Sequence, residues 1–268
     1  MAAVWASHAS NTLKSVYGPM RYRWLPTTVH AWRNLFGRTP MAFIGLDYDE
    51  YWAGNHSQGS ESDARVATFA RLIEPASRVL EMGCGDGTLL AVLRERLGAT
   101  VKGYDISARA VEKARQRGVD AEVRDVMTCG WGDGAPYDYV IIADCLEHLA
   151  CPEAVLDGLR GGVRKAILLS VPNSCYWRYR FRVLCGSFMV QWVAHPGEHL
   201  RFWSISDMRW WLGELGYTAR AALPTWGVPL LKHVWPAMFA RNVIFVVTEA
   251  PGRAGKRECR ACRPVDTR

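Results

Sequence analysis

Short apolar runs alternate along the chain with segments of helical period, and that alternation sets the expected architecture. Ser77–Met82 (SRVLEM), Ala99–Tyr104, Ala121–Arg124, Tyr137–Ala143 (YDYVIIA), Lys165–Val171 (KAILLSV) and Asn242–Thr248 (NVIFVVT) read as buried strands. The run YDYVIIA is almost continuously apolar, the pattern of a parallel strand covered on both faces. Glu61–Glu74 carries Val66, Phe69, Ala70 and Ile73 at helical spacing. Thr88–Leu97, Ala108–Arg117, Pro152–Leu159 and Ser206–Leu215 are further predicted helices. Strands alternating with helices predict an α/β fold with a doubly wound, mostly parallel sheet and right-handed crossovers. Such sheets bind ligands beyond the carboxyl ends of their strands, so chemistry is expected in the residues that follow each strand.

The first of these positions holds Glu81-Met-Gly83-Cys-Gly85-Asp86-Gly87-Thr88. Glycines at alternate positions let the backbone turn tightly and approach a ligand. The helix that follows presents free N–H groups and the positive end of its dipole. The third glycine comes one residue too early for a dinucleotide fingerprint, and the chain has no G-K-[ST] phosphate loop. Asp105 closes the second strand, where a carboxylate can accept hydrogen bonds from both hydroxyls of a ribose. Asp125 follows the third strand and can take a donor such as an adenine amino group. Either acid alone is also an ordinary cap or turn residue. In this order, and at successive strand ends, the three features point to a nucleoside ligand.

VLEMGCGDGTLL, GYDIS, RDV and YDYVIIADCLEHL together resemble the successive motifs of class I S-adenosylmethionine-dependent methyltransferases. The resemblance covers about three quarters of the chain, from Tyr48 to Glu249. It implies a seven-stranded Rossmann-like sheet and S-adenosylmethionine as cofactor. It also implies a methyltransferase domain over 46–250, with an acceptor-covering insertion at about 173–203. Gly83, Gly85 and Gly87 would pass beneath the methionine part of the cofactor, and Glu81 would order that loop. Asp105 would hold the ribose, Asp125 and Val126 would flank adenine, and Asp144 would line the methionine end. Within the superfamily, GCGDGTLLAVLRERLGA, Val171-Pro172-Asn173 with Tyr176-Trp177-Arg178, and Pro236–Phe239 with Val243–Phe245 resemble the MetW-like branch. That branch implies, as one alternative, a non-catalytic cofactor-binding partner of a homoserine O-acyltransferase. The long basic N-terminal extension and the cysteine-containing tail depart from it.

Methyl transfer from a sulfonium needs mainly a positioned nucleophile and excluded water, with a base where the nucleophile is a hydroxyl. A small-molecule acceptor methylated at oxygen or nitrogen is the leading expectation. Asp144-Cys-Leu-Glu147-His148 is expected to open a helix after the fourth strand, with its acids and imidazole on one face. His199, from Glu198-His199-Leu-Arg-Phe202-Trp203, is the expected neighbour. His148 and His199 are the catalytic candidates; Asp144, Glu147, His148 and His199 are the candidate set should a metal be used. This pattern also resembles metal-assisted O-methyltransferases that act on quinol-type lipids or on RNA 3′ ends. Tyr176–Arg182, with Trp192, Trp203, Trp210 and Trp211, combines aromatic and basic side chains. Such a segment can cover an acceptor, stack on a base or lie on a membrane surface. Tyr48, Tyr51 and Trp52 read either as a flap over the cofactor or as core.

Composition limits the partners. The chain has 268 residues, 49% hydrophobic and 22% charged, an ordinary globular mixture. Its formal charge of +7 resides at the ends. Residues 1–45 carry Lys14, Arg21, Arg23, Arg33 and Arg38 and no acid, and 251–268 carry six basic residues against Glu258 and Asp266. Basic ends suit solubility, a protein partner, anionic lipid or, less readily, nucleic acid. The most apolar stretch, Leu223–Val247, is broken by Lys232, His233, Arg241 and three prolines, so no membrane-spanning helix is expected. No basic segment followed by an apolar run opens the chain, and a cytoplasmic location is expected. The eight cysteines are then expected to be reduced. Cys259 and Cys262 lack a second pair to complete a zinc site.

Overall fold

The computed structural model describes residues 47–53, 64–132, 135–191 and 199–250. The chain divides into two compact units, 1–38 and 39–268, and every described residue belongs to the second. The basic extension and tail, the Cys259/Cys262 pair and Trp192 lie outside the described residues.

In chain order the elements are α1 (Tyr48–Ala53), α2 (Ala64–Leu72), β1 (Arg78–Met82), α3 (Thr88–Leu97), β2 (Thr100–Asp105), α4 (Ala108–Gln116), β3 (Asp120–Val123) and β4 (Tyr137–Ala143). They continue with α5 (Pro152–Gly158), β5 (Val163–Pro172), α6 (Trp177–Leu184), α7 (Ile205–Glu214), β6 (Tyr217–Gly227), α8 (Leu231–Val234), α9 (Pro236–Phe239) and β7 (Ala240–Glu249). The seven strands form one sheet in the order β3-β2-β1-β4-β5-β7-β6. The first five pair in parallel, and β7 runs antiparallel to both β5 and β6. The chain reverses its direction of travel across the sheet between β1 and β4, and that switch opens the ligand crevice.

Alternation along the strands sorts the core into two layers. Leu80, Ile142, Leu169 and Phe245 pack with Leu156, Met208 and Leu212 on one face. Their neighbours Val79, Ile141, Leu168 and Ile244 pack with Phe69, Leu90 and Leu93 on the other. Helix ends follow local chemistry. Glycines at positive φ, Gly87 and Gly98, bracket α3. Ser204 and Asp207 form a reciprocal capping box on α7. Pro152 occupies the first turn of α5. Among the described residues no helix is long and apolar enough to cross a membrane.

Two expectations are corrected. No helix opens at Asp144: the residues after β4 make a single 3₁₀ turn, Leu146–His148, and α5 starts only at Pro152. Asp144 takes a positive φ of 48° and Leu149 is extended, so no continuous helical face joins Asp144 to His148. Cys84, Cys129, Cys145, Cys175 and Cys185 are free thiols as expected, but Cys151 is disulfide-bonded.

Because the layers lie on opposite faces, Leu93→Ala and Leu156→Ala should each cost about 2–5 kcal/mol. In urea unfolding their costs should add to within about 0.5 kcal/mol; strong coupling would mean the two layers are not independent.

Candidate active site

The glycine loop after β1 is held from three sides. Gly83, Gly85 and Gly87 all have positive φ. A Cβ on Gly83 would lie 2.9 Å from Cys145 Sγ, and one on Gly87 2.8 Å from Ala114 Cβ, so the loop is wedged between the β4 turn and α4. Gly83 N and Cys84 N both donate to the Tyr104 carbonyl. Gly85 N donates to Asp105 Oδ2 at 2.8 Å, and Ser107 N to Asp105 Oδ1 at 2.9 Å. Burial raises the Asp105 pKa more than these hydrogen bonds lower it. The loop contact expected of Glu81 is therefore made by Asp105. The Glu81 carboxylate is wholly buried and neither oxygen has a hydrogen-bond partner. Burial, then the charges of Asp86 and Asp105, pushes its pKa well above the usual range, against the opposing charge of Arg65.

At the next strand ends, Asp125 Oδ1 accepts from Met127 N at 2.9 Å and caps its own turn, while Val126 beside it is buried. Asp144 sits in a polar network instead of on a helix face. Its Oδ1 accepts from Ser170 Oγ and Asn242 Nδ2, each at 2.8 Å, and its Oδ2 pairs with Arg65. Burial alone would raise the Asp144 pKa; the Arg65 charge and these hydrogen bonds outweigh it and hold the carboxyl below its usual range. The Arg65 guanidinium also lies 5.5 Å from the Trp226 ring centroid. Sequence reasoning missed Arg65, although a cation four residues before Phe69 and eight before Ile73, on the apolar face of α2, was a visible signal. Ser170 and Asn242 gave none, since only strand pairing brings them together.

The 3₁₀ turn does bring three of the four candidate ligands together. Glu147, His148 and His199 place ligand atoms within 4.8 Å of one another, and Asp144 is not in the group. Leu200 N and Arg201 N donate to the Glu147 carbonyl, which fixes His199 against the turn. The His148 and His199 rings meet edge-on with centroids 4.8 Å apart. Glu147 Oε2 and His199 Nδ1 are buried without partners. Burial and then the Asp144 charge push the Glu147 pKa well up. Burial and then His148 lower that of His199 to about 3. At neutral pH His199 is thus an uncharged imidazole, a form that can ligate a cation.

Helix α1 crosses from one half of the site to the other. Asp49 Oδ1 accepts from Ser107 Oγ at 2.5 Å, at the end of β2, and Tyr48 meets His148 edge-on, beyond β4. Trp52 is buried beneath Lys113. The aromatic-basic segment is divided. Tyr179 and Arg182 are buried, Trp203 and Trp211 pack on the core, and Trp210 is exposed.

The chain matches the family described as Methionine biosynthesis protein MetW over residues 63–247. It is 27% identical to a ubiquinone biosynthesis O-methyltransferase of Pseudomonas aeruginosa, over 58% of this chain and 71% of that protein. It is equally similar to one of Xylella fastidiosa, over 54% of this chain and 70% of that protein. The fold is shared with a Haloferax volcanii methyltransferase solved with the Trm112 activator (TM-score 0.54, 16% identity, 78% of this chain and 100% of that one). It is shared too with a Thiobacillus denitrificans S-adenosylmethionine-dependent methyltransferase solved with S-adenosylhomocysteine (TM-score 0.52, 13% identity, 77% and 99%). With its glycine loop, Asp105 and Asp125 at successive strand ends, this chain belongs to the MetW family of class I S-adenosylmethionine-dependent methyltransferases.

Proposed function

We propose that this protein transfers a methyl group from S-adenosylmethionine to an oxygen of a small-molecule acceptor. The observation that carries the reading is the pair of prepared half-sites: the Asp105-tethered glycine loop and the Glu147–His148–His199 cluster, joined by α1. The residues fit the cofactor. Glu81 has unfilled acceptor capacity beneath the loop, suited to the methionine ammonium, and Asp105 keeps lone pairs for ribose hydroxyls. Val126 offers an apolar wall and Asp125 an acceptor for adenine.

In the transfer the sulfonium's methyl–sulfur bond breaks with its electron pair going to sulfur, and a carbon–oxygen bond forms as the acceptor hydroxyl loses its proton. His148 accepts that proton, and the uncharged His199 packed edge-on against it positions its ring. Holding the reactants in line supplies roughly 7–11 kcal/mol of the barrier. The cluster also has the donor set for a divalent cation: one carboxylate and two imidazoles. A cation bound there would lower the acceptor hydroxyl's pKa. The similarity to ubiquinone biosynthesis O-methyltransferases supports an oxygen nucleophile.

Glu81→Gln should separate binding from stability. Since the folded-state pKa of Glu81 lies above its ordinary 4.5, the folded state holds that proton more tightly than the unfolded state. Its contribution to stability therefore falls as pH rises through and above 4.5. The variant should be about 1–3 kcal/mol more stable at pH 7.5, lose that advantage below pH 4, and bind S-adenosylmethionine more weakly. Reduced stability at pH 7.5 would contradict the reading.

His148→Ala should lower methyl transfer by about 10²–10⁴-fold while leaving S-adenosylmethionine affinity unchanged. Labelled-methyl assays with catechol and quinol acceptors, with and without chelator, provide the test. Full turnover by the variant would remove His148 from the mechanism. Intact cofactor binding without turnover on any acceptor by the wild type would favour a regulatory partner protein.

A further inference from the structure

The connection between β6 and β7 carries its apolar side chains outward. Leu230 and Val234 are each 80% exposed, Trp235 55%, Leu231 43% and Trp226 38%. Leu231, Val234 and Trp235 stand at positions i, i+3 and i+4 across α8 and its C-cap, so they share one face. Leu230 is held at φ 63°, ψ −55°, with Leu231 N donating to the Pro229 carbonyl at 2.7 Å. This is a γ-turn at positive φ, an uncommon and strained conformation for a residue other than glycine. The chain thus sustains strain that turns a leucine into solvent.

A second apolar edge lies beside it. Phe181, Val183, Leu184 and Phe188, on and just after α6, are 45–84% exposed. Asn173, which precedes α6, ties the two segments together: its Nδ2 donates to the Ala240 and Ala237 carbonyls at 2.8 and 3.2 Å, and its N to the Arg241 carbonyl. Both segments leave the sheet where β5 and β6 end and β7 begins, the ligand end. Both are basic and free of acids. No Asp or Glu occurs between Glu214 and Glu249, nor between Asp157 and Glu198; Arg180 and Arg241 are exposed and Arg178 and Lys232 partly so.

We infer that these segments form a docking surface for an anionic lipid bilayer, with the β6–β7 connection inserted at the headgroup level. Exposed Leu, Val and Trp among cations, without a carboxylate, are complementary to an apolar layer beneath a negatively charged surface. The position has a consequence for the site. Trp226, at the base of the connection, stacks on Arg65, which also pairs with Asp144, so the docked face borders the acceptor half of the site. An acceptor dissolved in the bilayer could reach it directly. The docking surface stands apart from the methyl-transfer reading, and its test uses no substrate.

The test is co-sedimentation of the full chain with phosphatidylcholine vesicles, with and without 30 mol% phosphatidylglycerol. Charge-preserving variants are the informative ones, because the basic ends are also attracted to anionic vesicles. The wild type should partition onto the anionic vesicles, and Leu230→Ser/Val234→Ser should weaken that by about tenfold. Leu230→Gly guards against a folding defect: relief of the positive φ should keep its Tm at or above that of the wild type, while its lipid partitioning falls. Undiminished partitioning of both variants, or none by the wild type, overturns the inference; capture of a protein on this face without vesicle binding would do the same.

Discussion

The Asp105 carboxylate is the contact on which the site depends. It receives Gly85 N on one oxygen and Ser107 N on the other, and so fixes the end of β2 to the glycine loop of β1. Ser107 in turn caps α4 through Ala110 N and donates its hydroxyl to Asp49. Asp49 lies on α1, whose Tyr48 packs against His148. A single chain of contacts therefore runs from the nucleoside half of the crevice to the imidazole cluster. The glycines allow that arrangement because any Cβ at Gly83 or Gly87 would collide with Cys145 or Ala114.

Several of the buried polar groups that folding leaves without a hydrogen-bond partner line the same crevice. Glu81, Glu147 Oε2 and His199 Nδ1 are buried without hydrogen-bond partners, while the neighbouring Asp144 is fully engaged by Arg65, Ser170 and Asn242. An unsatisfied buried group costs about 1–3 kcal/mol. Glu81 near the end of β1, Glu147 after β4 and His199 packed against that turn mark a surface shaped for a ligand's donors and charge more than for the stability of the free fold. The strained Leu230 breaks local preference in a comparable way on the outer rim.

Local chemistry in the sequence located most of this. The glycine motif, the acids at strand ends and the continuous apolar run of β4 are short-range signals, and α3 has the bounds that its period predicts. Beyond Arg65, Ser170 and Asn242, two features escaped. β6 escaped because its sequence, YTARAALPTWG, is half-buried, has no clean alternation and contains Pro224 at the sheet's edge. The helix expected at Asp144 failed because that side chain is drawn back to Ser170 and Asn242 by strand pairing that spacing does not reveal. Of the set Asp144, Glu147, His148 and His199, the last three meet in space and Asp144 does not. A 3₁₀ turn and the backbone bonds from Leu200 and Arg201 bring the three together, not a shared helical face.

The central claim is that the Asp105-tethered loop is an S-adenosylmethionine site. Calorimetric titration of the full chain with S-adenosylmethionine, and then with S-adenosylhomocysteine, tests it most directly. Saturable micromolar binding of both, at one site per chain, is the expected result. The absence of binding heat at millimolar concentrations of either ligand would contradict it.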